Sequence, residues 1–170
     1  DGRYSQIGEK LSPYFSEYAL VKNRVKVEVY WLKFLLENVS GSDILDAFDI
    51  NRLPEIMEIY TNFSDESYVR VKEIESVTNH DVKSVELFVA EKLKEMGMDS
   101  LVSFVHIGCT SEDITNSSYA NMISTAILEV WIPVAEQLID KISEIAIKHA
   151  NTAMLAHTHG QPATPTTIGK

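Results

Sequence analysis

Four short clusters bring together residue types that helix packing alone does not call for. Asp1-Gly2-Arg3-Tyr4 opens the chain. The planar fork of Arg3 beside the hydroxyl of Tyr4 suits a phosphate, although the same residues also read as an ordinary exposed terminus. Thr78-Asn79-His80-Asp81 stands where a helix begins, so Asn79 or Asp81 is a candidate N-cap, and capping gives no reason for the His80 between them. Cys109-Thr110-Ser111-Glu112-Asp113 follows His106, and Thr110-x-x-Asp113 is a capping-box-like helix start. Its hydroxyls and free N–H groups at the positive end of a helix also make a place for a carboxylate or a phosphate. His157-Thr158-His159-Gly160-Gln161-Pro162 lies in a stretch too rich in Gly and Pro for regular structure. An imidazole there is suited to general acid or base work, and the glycine lets a substrate approach the backbone. Two His at i and i+2 can also ligate a metal, but no HExxH pattern, second Cys or acidic ligand at a recognised spacing accompanies them, so no metal is expected.

The elements that must position these clusters are helical. Apolar positions Tyr18, Val21, Val25, Leu32, Leu35 and Leu36 mark one helix from Ser16 to Asn38, with Val25, Val27 and Val29 briefly imitating a strand. Asn51 to Phe63 predicts a short helix with Pro54 in its first turn, and Ser64 caps a further one running to about Val77. After the Asn79-His80-Asp81 cluster, Val82, Val85, Phe88, Val89 and Met96 predict a helix that stops at Gly97. Ser111 to Ala150 carries the longest apolar stripe, a helix of roughly 60 Å if continuous. Such a helix needs partner helices for its stripe, and Pro133 would kink it or remove one backbone hydrogen bond. No Rossmann or P-loop glycine signature appears. The expected fold is all-α, with an N-terminal helical domain over 1–100 leading into the first long helix of a bundle over 101–170.

The balance of 15 Lys+Arg against 25 Asp+Glu gives a formal charge of −10, the wrong sign for non-specific attraction to nucleic acid or an anionic lipid surface. No apolar run approaches the ~20 residues of a membrane span, so neither nucleic acid nor membrane is an expected partner. The single Cys109 allows no intrachain disulfide and suits a small buried hydrophobe in a reducing, cytoplasmic compartment. The chain begins without Met or a signal-peptide pattern and stops at Lys170 inside a new element, as expected of a fragment of a longer protein.

Taken in order and spacing, Asp1-Gly2-Arg3-Tyr4, Thr78-Asn79-His80-Asp81-Val82-Lys83, Cys109-Thr110-Ser111-Glu112-Asp113 and Thr158-His159-Gly160-Gln161-Pro162-Ala163-Thr164-Pro165 resemble the adenylosuccinate lyase family, bacterial type, within the fumarase/aspartase superfamily. Thr-His-Gly-Gln is shared across much of the superfamily, and the first two clusters narrow the match. The resemblance implies β-elimination of fumarate from adenylosuccinate, giving AMP, and from SAICAR, giving AICAR, with no metal or organic cofactor. It implies His159 as general acid, and Arg3 and Tyr4 on the nucleotide phosphate. Asn79, His80 and Asp81 would line the nucleotide pocket, and Thr110, Ser111, Thr158 and Gln161 would hold carboxylates. His106 falls where the family often has a His near the site. The family's catalytic base is a serine on a loop beyond residue 170, and its sites are shared among three subunits of a homotetramer.

Two kinds of rival remain. Argininosuccinate lyase or fumarase share the helical plan, yet their reactions have no use for a phosphate site. A non-catalytic helical interaction module would need the Ser111–Ala150 stripe but not the His157–Pro162 loop.

Overall fold

The computed structural model describes residues 2–170, so Asp1 of the first cluster lies outside the described residues. It is dominated by helices: α1 (Ser5–Gly8), α2 (Ser12–Phe15), α3 (Glu17–Asn38), α4 (Asp43–Asp46), α5 (Leu53–Thr61), α6 (Asp65–Thr78), α7 (Asp81–Glu95), α8 (Ser111–Ala126) and α9 (Ile132–Lys148). Strands β1 (Ala153–Thr158) and β2 (Gln161–Thr167) follow. The all-α reading holds, with one hairpin added. Contacts divide the chain into one compact unit that runs to Thr125 and a second spanning Ala126–Lys170.

In the first unit, local chemistry sets the helix ends. Ser16 Oγ accepts from Ala19 N–H at the start of α3, and Ser64 Oγ accepts from Ser67 N–H at the start of α6. Gly97, at φ +68°, takes the left-handed conformation that follows α7. The core is built on α3: Val21, Val25, Val29, Leu32 and Leu35 pack with Ile56 and Ile59 of α5, Val71 of α6, and Val85, Phe88, Val89 and Leu93 of α7. Phe63 meets Phe88 edge-on at 5.9 Å and Tyr18 at 5.5 Å, and Tyr18 Oη donates to Phe63 O at 3.1 Å.

The run from Ser111 stays helical to Lys148, with a π-helical segment at Ile127–Trp131 where a kink at Pro133 was expected. Proline clashes with the carbonyl four residues back, here Glu129; the wider π turn accommodates that carbonyl just before Pro133 enters α9. This run also contains a window of mean hydropathy 1.4, long and apolar enough by composition to cross a membrane, which the residue-by-residue reading did not register. Ahead of it, within the first unit, Ser118 is buried and donates to Ile114 O at 2.8 Å.

In the second unit, Leu138, Ile139, Ile142 and Ile145 of α9 are exposed, so the stripe that asked for partner helices lies open. The stretch read as irregular is a β-hairpin. Thr158 pairs with Gln161 across a two-residue turn in which His159 has φ 51° and Gly160 φ 75°. A turn with positive φ at both central residues matches the twist of its strands, and Pro162 and Pro165 are tolerated because a two-stranded ribbon consists of edges. The hairpin closes onto its own helix: Gly169 N–H donates to His149 O at 3.0 Å, and a Cβ on Gly169 would collide with the Ala146 carbonyl.

Phe88 is 1% exposed and Val69 54%. Phe88→Ala is therefore expected to remove about 3–5 kcal/mol of stability and Val69→Ala less than about 0.5 kcal/mol, read as urea midpoints. Equal midpoints for the two variants would contradict the assigned core.

Candidate functional site

The α6–α7 junction uses each residue of its cluster differently. Asn79, at φ 50°, ends α6 in the left-handed region that Asn tolerates, and its N–H donates to Glu75 O. His80, not Asn79 or Asp81, is the N-cap of α7: its Nδ1 accepts from Lys83 N–H at 3.1 Å. A ring nitrogen that accepts carries no proton, which leaves Nε2–H as the other donor of His80. Asp81 Oδ1 accepts from Val82 N–H at 2.9 Å, and Oδ2 lies 2.7 Å from Nη1 of Arg24. Burial raises the Asp81 pKa, but the Arg24 charge and the Val82 N–H outweigh it and hold the carboxyl below its ordinary 3.8.

The start of α8 is organised by an acid reaching back. Asp113 Oδ2 accepts from Thr110 N–H at 2.8 Å, the acidic half of a capping box, leaving Thr110 and Ser111 at the mouth of the helix. The loop before it is pinned to α3. His106, at φ 63°, has Nδ1 2.6 Å from Glu28 Oε1, and Trp31 Nε1–H donates to Ile107 O at 2.8 Å. Cys109 is half-buried rather than fully so, and burial, with Glu28 and Asp113 nearby, pushes its thiol pKa up.

Arg24 and Glu28 did not emerge from the sequence motifs, yet they hold these parts together. Both are buried on α3, Glu28 completely. Arg24 reaches Asp81 with Nη1 and donates from Nη2 to Thr115 Oγ1 at 3.2 Å, one turn along α8 from Ser111. Asn23 and Lys26 add bonds to Asn121 of α8. The signal was present in spacing: the α3 stripe Val21, Val25, Glu28, Leu32, Leu35 steps by four, three, four and three, so Glu28 occupies a core position.

Arg3 and Tyr4 lie on a 3-10 turn, with the guanidinium 5.4 Å from the centre of the Tyr4 ring. Tyr4 borders a cavity of about 480 Å³ with Ser5, Gly8, Leu11, Ser12, Phe15 and Ser16. Among the described residues neither is joined by hydrogen bond or ion pair to the other clusters, whereas Arg24 links Asp81 to Thr115 in the second turn of α8. Thr158, His159 and Gln161 belong to the second unit. There the hairpin turn sets Thr158 and Gln161 opposite each other with exposed His159 between them. Among the described residues no three His, Cys, Asp or Glu side chains gather as metal ligands.

In the first unit, capped helix starts, one of them carrying hydroxyls, can hold anions; in the second, the exposed imidazole of His159 can exchange a proton. The chain belongs to the lyase family, whose model matches residues 2–170. Over its whole length it is 45% identical to adenylosuccinate lyase of Escherichia coli K12, 44% to that of Haemophilus influenzae and 43% to that of Legionella pneumophila strain Corby. It spans about 37% of the length of each of these relatives. The resemblance carried by the four clusters therefore extends across the chain.

Burial is the largest influence on Glu28 and raises its pKa from the ordinary 4.5, against the lowering effect of His106. A carboxyl raised on folding contributes stability that is complete below its unfolded value and is lost as pH rises through its folded value. Glu28→Gln keeps an oxygen that can accept from His106 Nδ1–H without burying a charge. It is expected to lose less thermal midpoint than the unsubstituted protein between about pH 5 and pH 8. Parallel pH curves for the two would contradict burial as the cause.

Proposed function

We propose that the protein to which this chain belongs cleaves adenylosuccinate to AMP and fumarate, and SAICAR to AICAR and fumarate, by β-elimination. A base removes the proton from the succinyl Cβ, the C–H electron pair becomes the new double bond, the C–N bond breaks, and the departing nitrogen takes a proton from His159. The observation that carries this reading is His159 itself, exposed at the tip of a tight hairpin between Thr158 and Gln161 in a chain 45% identical throughout to an adenylosuccinate lyase.

Arg3 and Tyr4 bind the nucleotide phosphate; Asn79, His80 and Asp81 line the nucleotide pocket. Thr110, Ser111, Thr158 and Gln161 hold carboxylates, and stabilisation of the developing dianion is the main catalytic term. An acidic protein binds such a substrate through local donors, and capped helix starts supply them without many Lys or Arg. No metal or organic cofactor takes part, and the base is a serine supplied from beyond residue 170. Residues 1–100 form an N-terminal helical domain, and 101–170 open the central bundle of a cytoplasmic homotetramer, whose further helices cover the exposed face of α9.

The test is an absorbance assay of adenylosuccinate cleavage with the full-length protein and its His159→Ala variant. The variant is expected to lose about 10²–10⁴-fold in kcat, and residues 1–170 alone to turn over negligibly. A folded but inactive full-length protein would point instead to another lyase of the superfamily or to an interaction module, and cleavage indifferent to His159→Ala would overturn the acid role of His159.

A further inference from the structure

We propose that Arg24 is a positioning residue for the site described above: its guanidinium neutralises Asp81 and sets the start of α7 at a fixed distance from the start of α8. This rests on the lyase reading, because the two helix starts matter together only if both face one substrate.

Arg24 is 6% exposed, and its side chain bonds in two directions. Nη1 lies 2.7 Å from Asp81 Oδ2, and Nη2 donates to Thr115 Oγ1 at 3.2 Å. Because the guanidinium is planar and rigid, its two amino groups fix the separation of whatever they hold, which the single ammonium of lysine cannot do. One partner is the first residue of α7, whose carbonyl also accepts from Ser84 Oγ at 2.6 Å. The other lies in the second turn of α8, four residues from Ser111. The same helix secures the approach to α8 through Glu28 on His106 and Trp31 on Ile107 O. Residues 24, 28 and 31 follow helical spacing, so one edge of α3 carries all three ties.

Charge gives Arg24 a second effect. The proposed substrate bears a phosphate and two carboxylates, and an unpaired Asp81 carboxylate in its pocket would repel it. With Arg24 in contact, Asp81 presents a neutralised pair. Loss of Arg24 should therefore weaken substrate binding more than it slows the bound reaction.

The experiment compares kcat, KM for adenylosuccinate and thermal midpoint in the full-length protein and four variants. Arg24→Met is expected to raise KM about tenfold or more with a smaller fall in kcat. Arg24→Lys, which keeps the charge and one arm, should recover part of that. Arg24→Met/Asp81→Asn should bring KM part of the way back from that of Arg24→Met, since the repelling charge is gone while the tie between the helix starts is still lost. Thr115→Val removes one bond at nearly constant volume, leaves a buried Arg24 N–H unpaired, and should raise KM roughly threefold with only a modest fall in the midpoint. If Arg24→Met does not fold, Arg24→Lys and Thr115→Val decide alone, and unchanged KM in both overturns the proposal. Failure of Asp81→Asn to relieve Arg24→Met overturns it too, as do losses that follow only the fraction of folded protein. An unsubstituted full-length protein without adenylosuccinate cleavage overturns the lyase reading, and this proposal with it. Cleavage unaffected by the variants overturns this proposal alone.

Discussion

A buried cation and a buried carboxyl on one edge of α3 are the constraint around which the first unit is arranged. Arg24 and Glu28 sit within a stripe whose other members are Val21, Val25, Val29, Leu32 and Leu35. Removing such groups from water is expensive, and a charge left without its partner in that position costs about 3–5 kcal/mol. Neither side chain can leave the core without giving up the packing of α3. The partners must therefore come to them: Asp81 at the start of α7, Thr115 on α8, and His106 in the loop before α8. A buried pair of this kind adds little net stability over apolar residues of similar size, but it specifies where its partners lie.

What lies at those partners is suited to anions. The chain carries a formal charge of −10, so an anionic ligand meets an unfavourable field at long range. Helix starts overcome that locally, because their N–H groups and dipole act over a few ångströms, where the distant acidic side chains are screened. The His80 cap belongs to this arrangement: its Nδ1 is taken up by Lys83 N–H, which fixes the tautomer and turns the ring into a donor through Nε2. In the second unit a different device serves His159. The left-handed conformation that the two-residue hairpin turn requires holds it between two polar neighbours.

Much of this was legible in the residues. Ser16, Ser64 and Gly97 act at helix ends as their chemistry predicts, and the apolar periodicity of α3, α5, α6 and α7 marked the core. The four clusters marked the candidate site and the family. Reading failed where tertiary context overrode a local rule. His159-Gly160 is an unusual pair for a tight turn, so a hairpin carrying two prolines looked irregular. His80 displaced better capping residues because Asn79 was needed to end α6 and Asp81 was drawn to Arg24. Arg24 and Glu28 were overlooked because charged residues on a long helix are ordinarily solvated, although the step pattern of the stripe placed Glu28 inside.

The dependence of both helix starts on α3 is tested most directly by amide hydrogen exchange in the full-length protein, comparing Arg24→Met with the unsubstituted chain. The expected result is faster exchange at Val82–Ser84 and at Asp113–Thr115 together, with α5 and α6 unchanged, because one side chain holds the two starts while α5 and α6 are held by apolar packing. Exchange unchanged at both starts, or accelerated at one alone, would show that each is set by its own cap and that α3 does not join them.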